Sequence, residues 1–317
     1  MPTSKDMRLP HTPYPIPHTA TMTTEIVNKW QLVLNHQCLL GEGPVWDAEN
    51  KSILWVDILN GEIHQYLTII KQHKVITVGQ PIGAIGLTVS GGLIAAVKNG
   101  FAKIDAEKET IELLNNPEEG VFNNRFNDGK CDPAGNFWAG TMDDLNSTEG
   151  AGNLYMLHAD LSISRKIERV SCSNGMAWSR NGNIFYYIDS PTRQVVAYDF
   201  DAGNITNKRV IITIPPDQGL PDGMTIDTEG MLWVAHWDGW KVSRWNPVSG
   251  ELLVSFRLPA ARITSCAFGG DKLQDLYITS AFIGLSESER DEQPLAGSLF
   301  VIRECGYEGA AVYKFRG

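Results

Sequence analysis

The sequence repeats one short pattern six times at nearly even spacing. Each copy begins with a short step, in most cases a polar residue followed by glycine, and continues into a run of β-branched and aromatic residues. The steps recur every 42 to 48 residues, as EGPVWD at Glu42, IGLTVS at Ile85, DGKCDP at Asp128, NGMAWS at Asn174, DGMTID at Asp222 and TSCAFG at Thr264. A repeat of ~40–50 residues made of short strands is typical of a β-propeller, in which each repeat forms one blade.

Each repeat contains enough strand-like segments for a complete blade. A turn such as DAEN or PAGN follows the first strand, and a second strand such as SILWVDI or NFWAGTM follows the turn. Third strands such as EIHQYL and fourth strands such as QHKVITV complete the unit. The pattern therefore predicts an all-β fold, a six-bladed β-propeller with four-stranded blades. The N-terminal segment KWQLVLN is expected to pair into the last blade and close the ring. A β-sandwich is the alternative, but six near-equal periods disfavour it.

The first residues differ in composition from the repeats. Met1 to Thr24 is rich in Pro, Thr and His and has no apolar segment, so it does not resemble a secretory signal. We interpret residues 1–24 as a disordered leader and residues 25–317 as a single propeller domain.

Composition and charge exclude several classes of partner. The net charge of −10 disfavours nucleic acid, because phosphate binding needs clustered Lys and Arg. No apolar run is long enough to predict a membrane span. The five cysteines are odd in number and widely spaced, which favours a reduced, cytoplasmic compartment. We expect a monomer or a small homo-oligomer.

The repeat register brings polar residues to one end of the predicted channel. The first strand of every propeller blade lines that channel, so Glu42, Asp128, Asn174 and Asp222 should converge although they are distant in sequence. Converging carboxylates repel each other unless a cation lies between them. Oxygen ligands suit Ca²⁺, Mg²⁺ or Mn²⁺, with Zn²⁺ and Fe²⁺ also open. Each Asp-Gly or Asn-Gly step taken alone is more typical of a turn.

Four longer motifs resemble one known family. LGEGPVWD, NNRFNDGKCDPAGNFWAGTMD, SNGMAWS and LPDGMTIDTEGMLWVAHWDGWKV are similar to motifs of the senescence-marker-protein/gluconolactonase family, the regucalcin-like lactonases. The resemblance extends from Leu39 to Ile302. It implies a six-bladed propeller with one divalent metal at the channel mouth.

The resemblance also implies roles for five side chains. The family's metal ligands correspond to Glu42, Asn174 and Asp222, and Asp222 would also act as the general base. The family's sugar-contacting residues correspond to Arg125 and Asn127 in the RFND stretch. Some members use a further acidic residue after AGTM, and in this chain Glu149 lies close to that place without matching its register.

The activity that the resemblance implies is the metal-dependent opening of sugar lactones, such as gluconolactone, to aldonic acids. Two alternatives stay open: a calcium-binding regulatory protein of the same fold, and a phosphotriesterase-like metal hydrolase. RFND favours a polyhydroxylated substrate over an apolar phosphate ester. The GxSxG and HExxH signatures are absent from the sequence, so neither a serine hydrolase nor a zincin is indicated.

Several polar residues have simpler interpretations that need no substrate. Arg125 could pair with Asp128, and Asn127 could cap a turn. Asp143 and Asp144 are interpreted as part of a solvated loop rather than as ligands.

His236 and Asp238 in AHWDGW suggest an acid/base pair. We favour aromatic packing followed by a surface turn for this segment.

Overall fold

The computed structural model describes residues 24–317. The expected leader lies outside the described residues except for Thr24, which begins the first strand. Six separate sheets form from the described strands. Five are built around four consecutive antiparallel strands, and the sixth combines three late strands with one from the beginning of the described chain. The prediction of a six-bladed β-propeller with four-stranded blades is confirmed.

The chain begins with two short strands that belong to later blades, β1 (Thr24–Ile26) and β2 (Gln31–Leu34). The strands of blade 1 are β3 (Gly41–Asp47), β4 (Ser52–Asp57), β5 (Glu62–Leu67) and β6 (Gln72–Thr77). Those of blade 2 are β7 (Ile82–Leu87), β8 (Leu93–Val97), β9 (Gly100–Asp105) and β10 (Thr110–Leu113). Those of blade 3 are β11 (Asn124–Cys131), β12 (Phe137–Asp143), β13 (Gly152–Leu157) and β14 (Ile163–Val170).

The second half of the chain continues the pattern. The strands of blade 4 are β15 (Ser173–Trp178), β16 (Ile184–Asp189), β17 (Gln194–Asp201) and β18 (Asn204–Thr213). Those of blade 5 are β19 (Leu220–Ile226), β20 (Leu232–Trp237), β21 (Lys241–Trp245) and β22 (Leu252–Arg257). Blade 6 contains β23 (Ile263–Gly269), β24 (Asp275–Ser280) and β25 (Leu299–Ile302), with the short helix α1 (Glu287–Glu292) between β24 and β25.

The ring closes by sharing a blade between the two ends of the chain. Strand β2 pairs antiparallel with β25, with Gln31 opposite Val301, and supplies the fourth strand of blade 6. This confirms the expectation for KWQLVLN. Strand β1 extends blade 5 by a fifth strand parallel to β22, which the sequence did not suggest.

The hydrophobic core lies between neighbouring blades, because each sheet has two apolar faces to bury. Six clusters of buried side chains occupy the six junctions between blades. At the junction of blades 3 and 4, for example, the rings of Trp138 and Trp178 meet edge to face at 5.9 Å. At the junction of blades 6 and 1, Trp46 stacks on Tyr277.

Turn aspartates anchor the second strands of two blades. Asp132 accepts a hydrogen bond from Trp138 Nε1 at 2.9 Å, and Asp227 accepts one from Trp233 Nε1 at 3.0 Å. Asp227 also forms a buried ion pair with Arg244, 2.7 Å from Nε. These bonds satisfy indole donors that would otherwise be buried without partners.

The first strands of the blades line the channel and contact one another in a closed ring. In each blade a β-bulge interrupts the pairing of the first strand with the second. The shifts lie at Glu42/Val45, Ile82/Ala84, Phe126/Gly129, Asn174/Met176, Pro221/Met224 and Ile263/Ser265. Such bulges re-aim side chains and are frequent next to functional sites.

In blade 2 the bulge lies at Gly83. The repeat alignment instead predicts Ile85 as the residue equivalent to Glu42 and Asp128, and Ile85 lies two residues beyond the bulge. A Cβ at Gly83 would lie 2.4 Å from the carbonyl oxygen of Asn127. Only glycine allows this approach between blades 2 and 3.

All five cysteines are free thiols. Within residues 24–317, no helix has the length and apolar composition needed to cross a membrane.

Candidate metal centre

The bulges bring together polar residues that are far apart in sequence. Glu42, Asp128, Asn174 and Asp222 are each 4–5% exposed. The carboxyl groups of Glu42 and Asp222 face each other across the channel mouth, close enough for each to shift the pKa of the other. Gly223 packs against Ser265 of blade 6, and Gly175 packs against the backbone of Asp222, so glycines after the polar residues allow the close packing of the first strands.

The three acidic side chains form a cluster that is almost completely buried. Burial, followed by the charge of Asp128, raises the pKa of Glu42 from 4.5 to about 8. Burial, followed by the charge of Glu42, raises the pKa of Asp222 well above its ordinary value. Burial also raises the pKa of Asp128. The nearby charges of Lys130 and Arg125 act in the opposite direction, on Asp128 and Glu42 respectively, but do not cancel the cost of burying three carboxylates.

Backbone amides of the bulges support two of these carboxylates. Gly43 N donates to Glu42 Oε2 at 2.8 Å, and Gly129 N donates to Asp128 Oδ1 at 2.7 Å. In both cases the glycine after the acidic residue supplies the donor. Because each bond uses one oxygen, the other carboxylate oxygen of each side chain is available to a ligand.

Asn174 is held in a fixed orientation beside the carboxylates. Its Nδ2 donates to Ser190 Oγ at 2.8 Å, and Ser190 Oγ donates to the carbonyl oxygen of Pro221 at 2.6 Å. Its Oδ1 accepts from Asn127 Nδ2 at 3.0 Å. An amide oxygen has two lone pairs, so Asn174 Oδ1 can accept this bond and still act as a ligand.

Arg125 and Asn127 form one hydrogen-bonded arm next to Asn174. Arg125 Nη1 donates to Asn127 Oδ1 at 2.7 Å, and Asn127 Nδ2 donates to Ser173 O at 2.8 Å. The ion pair of Arg125 is formed with Asp144, whose Oδ1 lies 2.6 Å from Nε. Neither the alternative pairing with Asp128 nor a turn-capping role for Asn127 is observed.

The interpretation of Asp143 and Asp144 as part of a solvated loop holds only for Asp144, which begins an exposed loop, whereas Asp143 ends β12. Asp143 is 3% exposed and accepts hydrogen bonds from Leu145 N and Asn146 N at 3.0 Å. These bonds fold the chain after β12 so that Asp144 reaches Arg125. Glu149, further along the same loop, is exposed.

His236 and Asp238 do not form a pair. His236 is fully buried, with Nδ1 2.8 Å from Gln218 O and Nε2 hydrogen-bonded to Ser243 Oγ. Asp238 lies in a turn with φ of 57° and pairs with Arg262 at 3.1 Å. The structure agrees with a buried ring followed by a surface turn.

A cavity of about 310 Å³ lies in the channel next to the carboxylates and includes Asp128 and Lys130 in its lining. Lys130 crosses from blade 3 to blade 5, where Nζ donates to Met224 O at 2.6 Å. Burial lowers the pKa of Lys130. Residues 310–313 of the C-terminal segment also line this cavity.

Sequence reasoning missed the roles of Lys130, Asp144 and Ser190. The sequence could have indicated Lys130, because residues two apart on a strand face the same side and Asp128 was already predicted to face the channel. It could also have indicated Asp144 as a neighbour of Arg125, because β11 and β12 form a hairpin in which Asn124 lies opposite Asp143. Nothing in the sequence indicates the role of Ser190, because only the tertiary fold places it beside Asn174.

Comparisons with known proteins agree with this architecture. The family model described as SMP-30/gluconolactonase/LRE-like region matches residues 40–282. The chain is 40% identical to regucalcin of Danio rerio over 292 residues, which is 91% of this chain and 99% of that protein.

Two solved structures superpose closely. One is a luciferin-regenerating enzyme, with a TM-score of 0.86 and 32% identity, over 91% of this chain and 99% of that one. The other is a regucalcin, described as a calcium-binding protein, from Agrobacterium tumefaciens, with a TM-score of 0.88 and 25% identity over 93% of this chain and 100% of that one.

Proposed function

Because the chain belongs to the SMP-30/gluconolactonase/LRE-like family, we propose that it is a divalent-metal-dependent lactonase that opens sugar lactones to aldonic acids. One observation carries the proposal. The buried oxygen donors of Glu42, Asn174 and Asp222 meet at the channel mouth, next to the arm of Arg125 and Asn127.

The donor set fits a hard divalent cation. Two carboxylates and one amide supply oxygen ligands, which Ca²⁺, Mg²⁺ and Mn²⁺ prefer. Burial and repulsion from neighbouring carboxylates raise the pKa values of Glu42 and Asp222, and a divalent cation bound between them would favour their ionised forms. When bound, such an ion supplies Lewis-acid polarisation of a carbonyl oxygen and a lower pKa for a coordinated water.

Asp222 is the candidate general base. Hydrolysis adds water to the lactone carbonyl carbon and breaks the bond from that carbon to the ring oxygen. A carboxylate oxygen of Asp222 accepts a proton from the attacking water, and the same proton can pass to the departing ring oxygen. General base catalysis of this kind contributes about 10²- to 10⁴-fold.

Arg125 and Asn127 are the candidate substrate-orienting groups. Arg125 uses Nε for Asp144 and Nη1 for Asn127 and the carbonyl oxygen of Phe126, which leaves Nη2 to donate to a sugar hydroxyl. Asp144 fixes the guanidinium plane before substrate arrives. Donors that are fixed in advance lower the entropic cost of orienting a small polar substrate.

The deciding experiment is hydrolysis of gluconolactone, measured in a pH-stat with metal-stripped protein and with each divalent cation in turn. We expect turnover above the spontaneous rate that a chelator abolishes and that Asp222→Asn reduces. Asp201→Asn, an exposed aspartate of blade 4, is the matched control and should retain full activity.

A second candidate is a calcium-binding protein without turnover, favoured by the description of the Agrobacterium tumefaciens relative. Stoichiometric calcium binding by wild type, with no hydrolysis under any metal, would establish this alternative and exclude the lactonase.

A further inference from the structure

A group of histidines lies outside the channel, at the junction of blades 6 and 1. His36 follows β2 in the segment that leads to β3, His64 lies in β5, and His73 lies in β6. Each ring can offer one nitrogen so that the three atoms lie within 4.8 Å of one another. We call these three residues the histidine cluster.

The spacing of two of the rings is close to that of two ligands on one ion. His64 Nδ1 lies 3.1 Å from His73 Nε2. A tetrahedral Zn²⁺ ion with bonds of about 2.0–2.1 Å to nitrogen holds its ligand atoms roughly 3.3 Å apart. Trp55 stacks on both rings, with angles between planes of 15° to His64 and 12° to His73, and so fixes their planes.

His36 completes the cluster from the other side of the blade junction. Its ring lies edge-on to both partners, with centroids 4.6 Å from His64 and 5.2 Å from His73. A hydrogen bond between His64 and His73 would account for those two rings. The half-exposed imidazole of His36 faces both of them and also brings its Nε2 to 3.9 Å from Glu62 Oε2.

A carboxylate supports the cluster from behind. Glu62 Oε2 lies 3.5 Å from His64 Nε2, the nitrogen on the far side of the ring from His73. Metal-bound histidines commonly give their second N–H to a carboxylate in this way, which fixes the tautomer. The Cys38 thiol lies 3.7 Å from the same nitrogen.

The protonation states suit metal binding by imidazole. Burial lowers the pKa of His64 to about 3 and lowers that of His73, so both rings are neutral ligands at pH 7. Burial raises the pKa of Cys38 to about 12, so Cys38 is a neutral thiol and the donors are the imidazoles.

We propose that the histidine cluster binds one transition-metal ion of the Zn²⁺ class through three imidazole nitrogens, including His64 Nδ1 and His73 Nε2, with water as fourth ligand. This site is separate from the channel and prefers a different metal, because imidazole suits Zn²⁺ whereas the channel offers oxygen donors. The bound ion ties the segment after the ring-closing strand β2 to blade 1.

Cobalt is the probe, because tetrahedral Co²⁺ gives intense visible absorption and Zn²⁺ displaces it. The full chain is first saturated with Ca²⁺, which prefers the oxygen ligands of the channel. We then expect one equivalent of Co²⁺ with the tetrahedral spectrum, lost in His36→Ala and in His73→Ala. Glu62→Gln should weaken binding about 10- to 100-fold.

Two controls separate this site from other binding. His158→Ala removes a half-buried histidine that bonds to Ser164 elsewhere in the fold, and it should keep the signal. Glu42→Gln alters the channel and should keep it as well. Circular dichroism confirms that each variant is folded, and buried His64 is left unchanged for that reason.

Three results would overturn the proposal. The first is that the wild-type protein gives no tetrahedral cobalt spectrum. The second is that the spectrum persists in either His36→Ala or His73→Ala, and the third is that it disappears in Glu42→Gln.

Discussion

Replacing Glu42 by glutamine should stabilise the metal-free protein at pH 8 and leave its stability at pH 5 almost unchanged. Burial and the charge of Asp128 raise the pKa of Glu42 from 4.5 to about 8. Between these two pH values the folded state holds a proton that the unfolded state has lost. The free energy of unfolding of the wild type therefore falls as the pH rises through this interval and is level above it.

The size of the effect follows from the width of the interval. At about 1.4 kcal/mol per pH unit, the interval from 4.5 to about 8 corresponds to a loss of at most about 5 kcal/mol. Glutamine carries no charge at either pH and avoids the loss. It also removes the Glu42 charge that raises the pKa of Asp222.

The assay is urea unfolding in a chelator at pH 5, 6, 7 and 8, and the quantity of interest is the difference between variant and wild type. The difference is needed because the lowered pKa values of His64 and His236 make stability rise with pH up to about 6.5. Those histidines are present in both proteins and cancel. Glu112→Gln, at an exposed position in β10, should follow the wild type throughout.

Saturating Ca²⁺ should remove the pH-dependent loss from the wild type, because an ion that binds only the folded state stabilises it. A difference between Glu42→Gln and wild type that is the same at pH 5 and pH 8 would refute the reasoning, since it would mean that Glu42 ionises freely in the folded state.

Three further predictions concern other parts of the molecule. Arg125→Ala should slow lactone hydrolysis while bound metal, measured by elemental analysis, stays at the wild-type level; loss of the metal would mean that Arg125 supports the metal and not the substrate. Asp222→Asn keeps an oxygen ligand but removes the candidate base, so turnover should fall by about 10²-fold or more and metal occupancy by less. Full activity in metal-free Asp222→Asn protein would end the proposal of a metal-dependent lactonase with Asp222 as its base. Asp227→Asn removes the buried partner of Arg244, whose side chain is 6% exposed. The free energy of unfolding should therefore drop by about 3 kcal/mol. A change close to zero in urea unfolding would show that the pair contributes little.

The fold was predictable because propeller blades are local in sequence. Each blade is a run of antiparallel strands joined by short turns, and turn residues mark every junction. The closing strand was also predictable, because KWQLVLN is an apolar segment with no partner in blade 1. Strand β1 was not predictable, because it has only three residues that pair in parallel with β22, and so short a strand shows no recognisable alternation of apolar and polar residues.

The register of blade 2 shows where pattern reasoning reached its limit. The segment IGAIG contains two Ile-Gly pairs, Ile82–Gly83 and Ile85–Gly86. Either could be the step by composition. What selects Gly83 is its contact with the backbone of Asn127 in blade 3, and that contact exists only in the folded ring.

The candidate site was predictable in its members but not in its pairings. Equivalent positions in the repeat were enough to bring Glu42, Asn174 and Asp222 into one group. The partner of Arg125 depended on how the hairpin after β12 bends, which the buried carboxylate of Asp143 controls through its bonds to Leu145 N and Asn146 N.

The shared blade has a consequence for the order in which the protein assembles. Blade 6 takes β2 from the beginning of the chain and β25 from near its end. During synthesis, Gln31 can therefore pair with Val301 only after Val301 has left the ribosome. Blades 1 to 4 contain only consecutive strands and can form while synthesis continues. Closure is then the final step, and it joins distant residues at the entropic cost of a long loop. Until it occurs, the apolar faces of blades 1 and 5 have no neighbour, and the nascent chain is most exposed to aggregation in that interval.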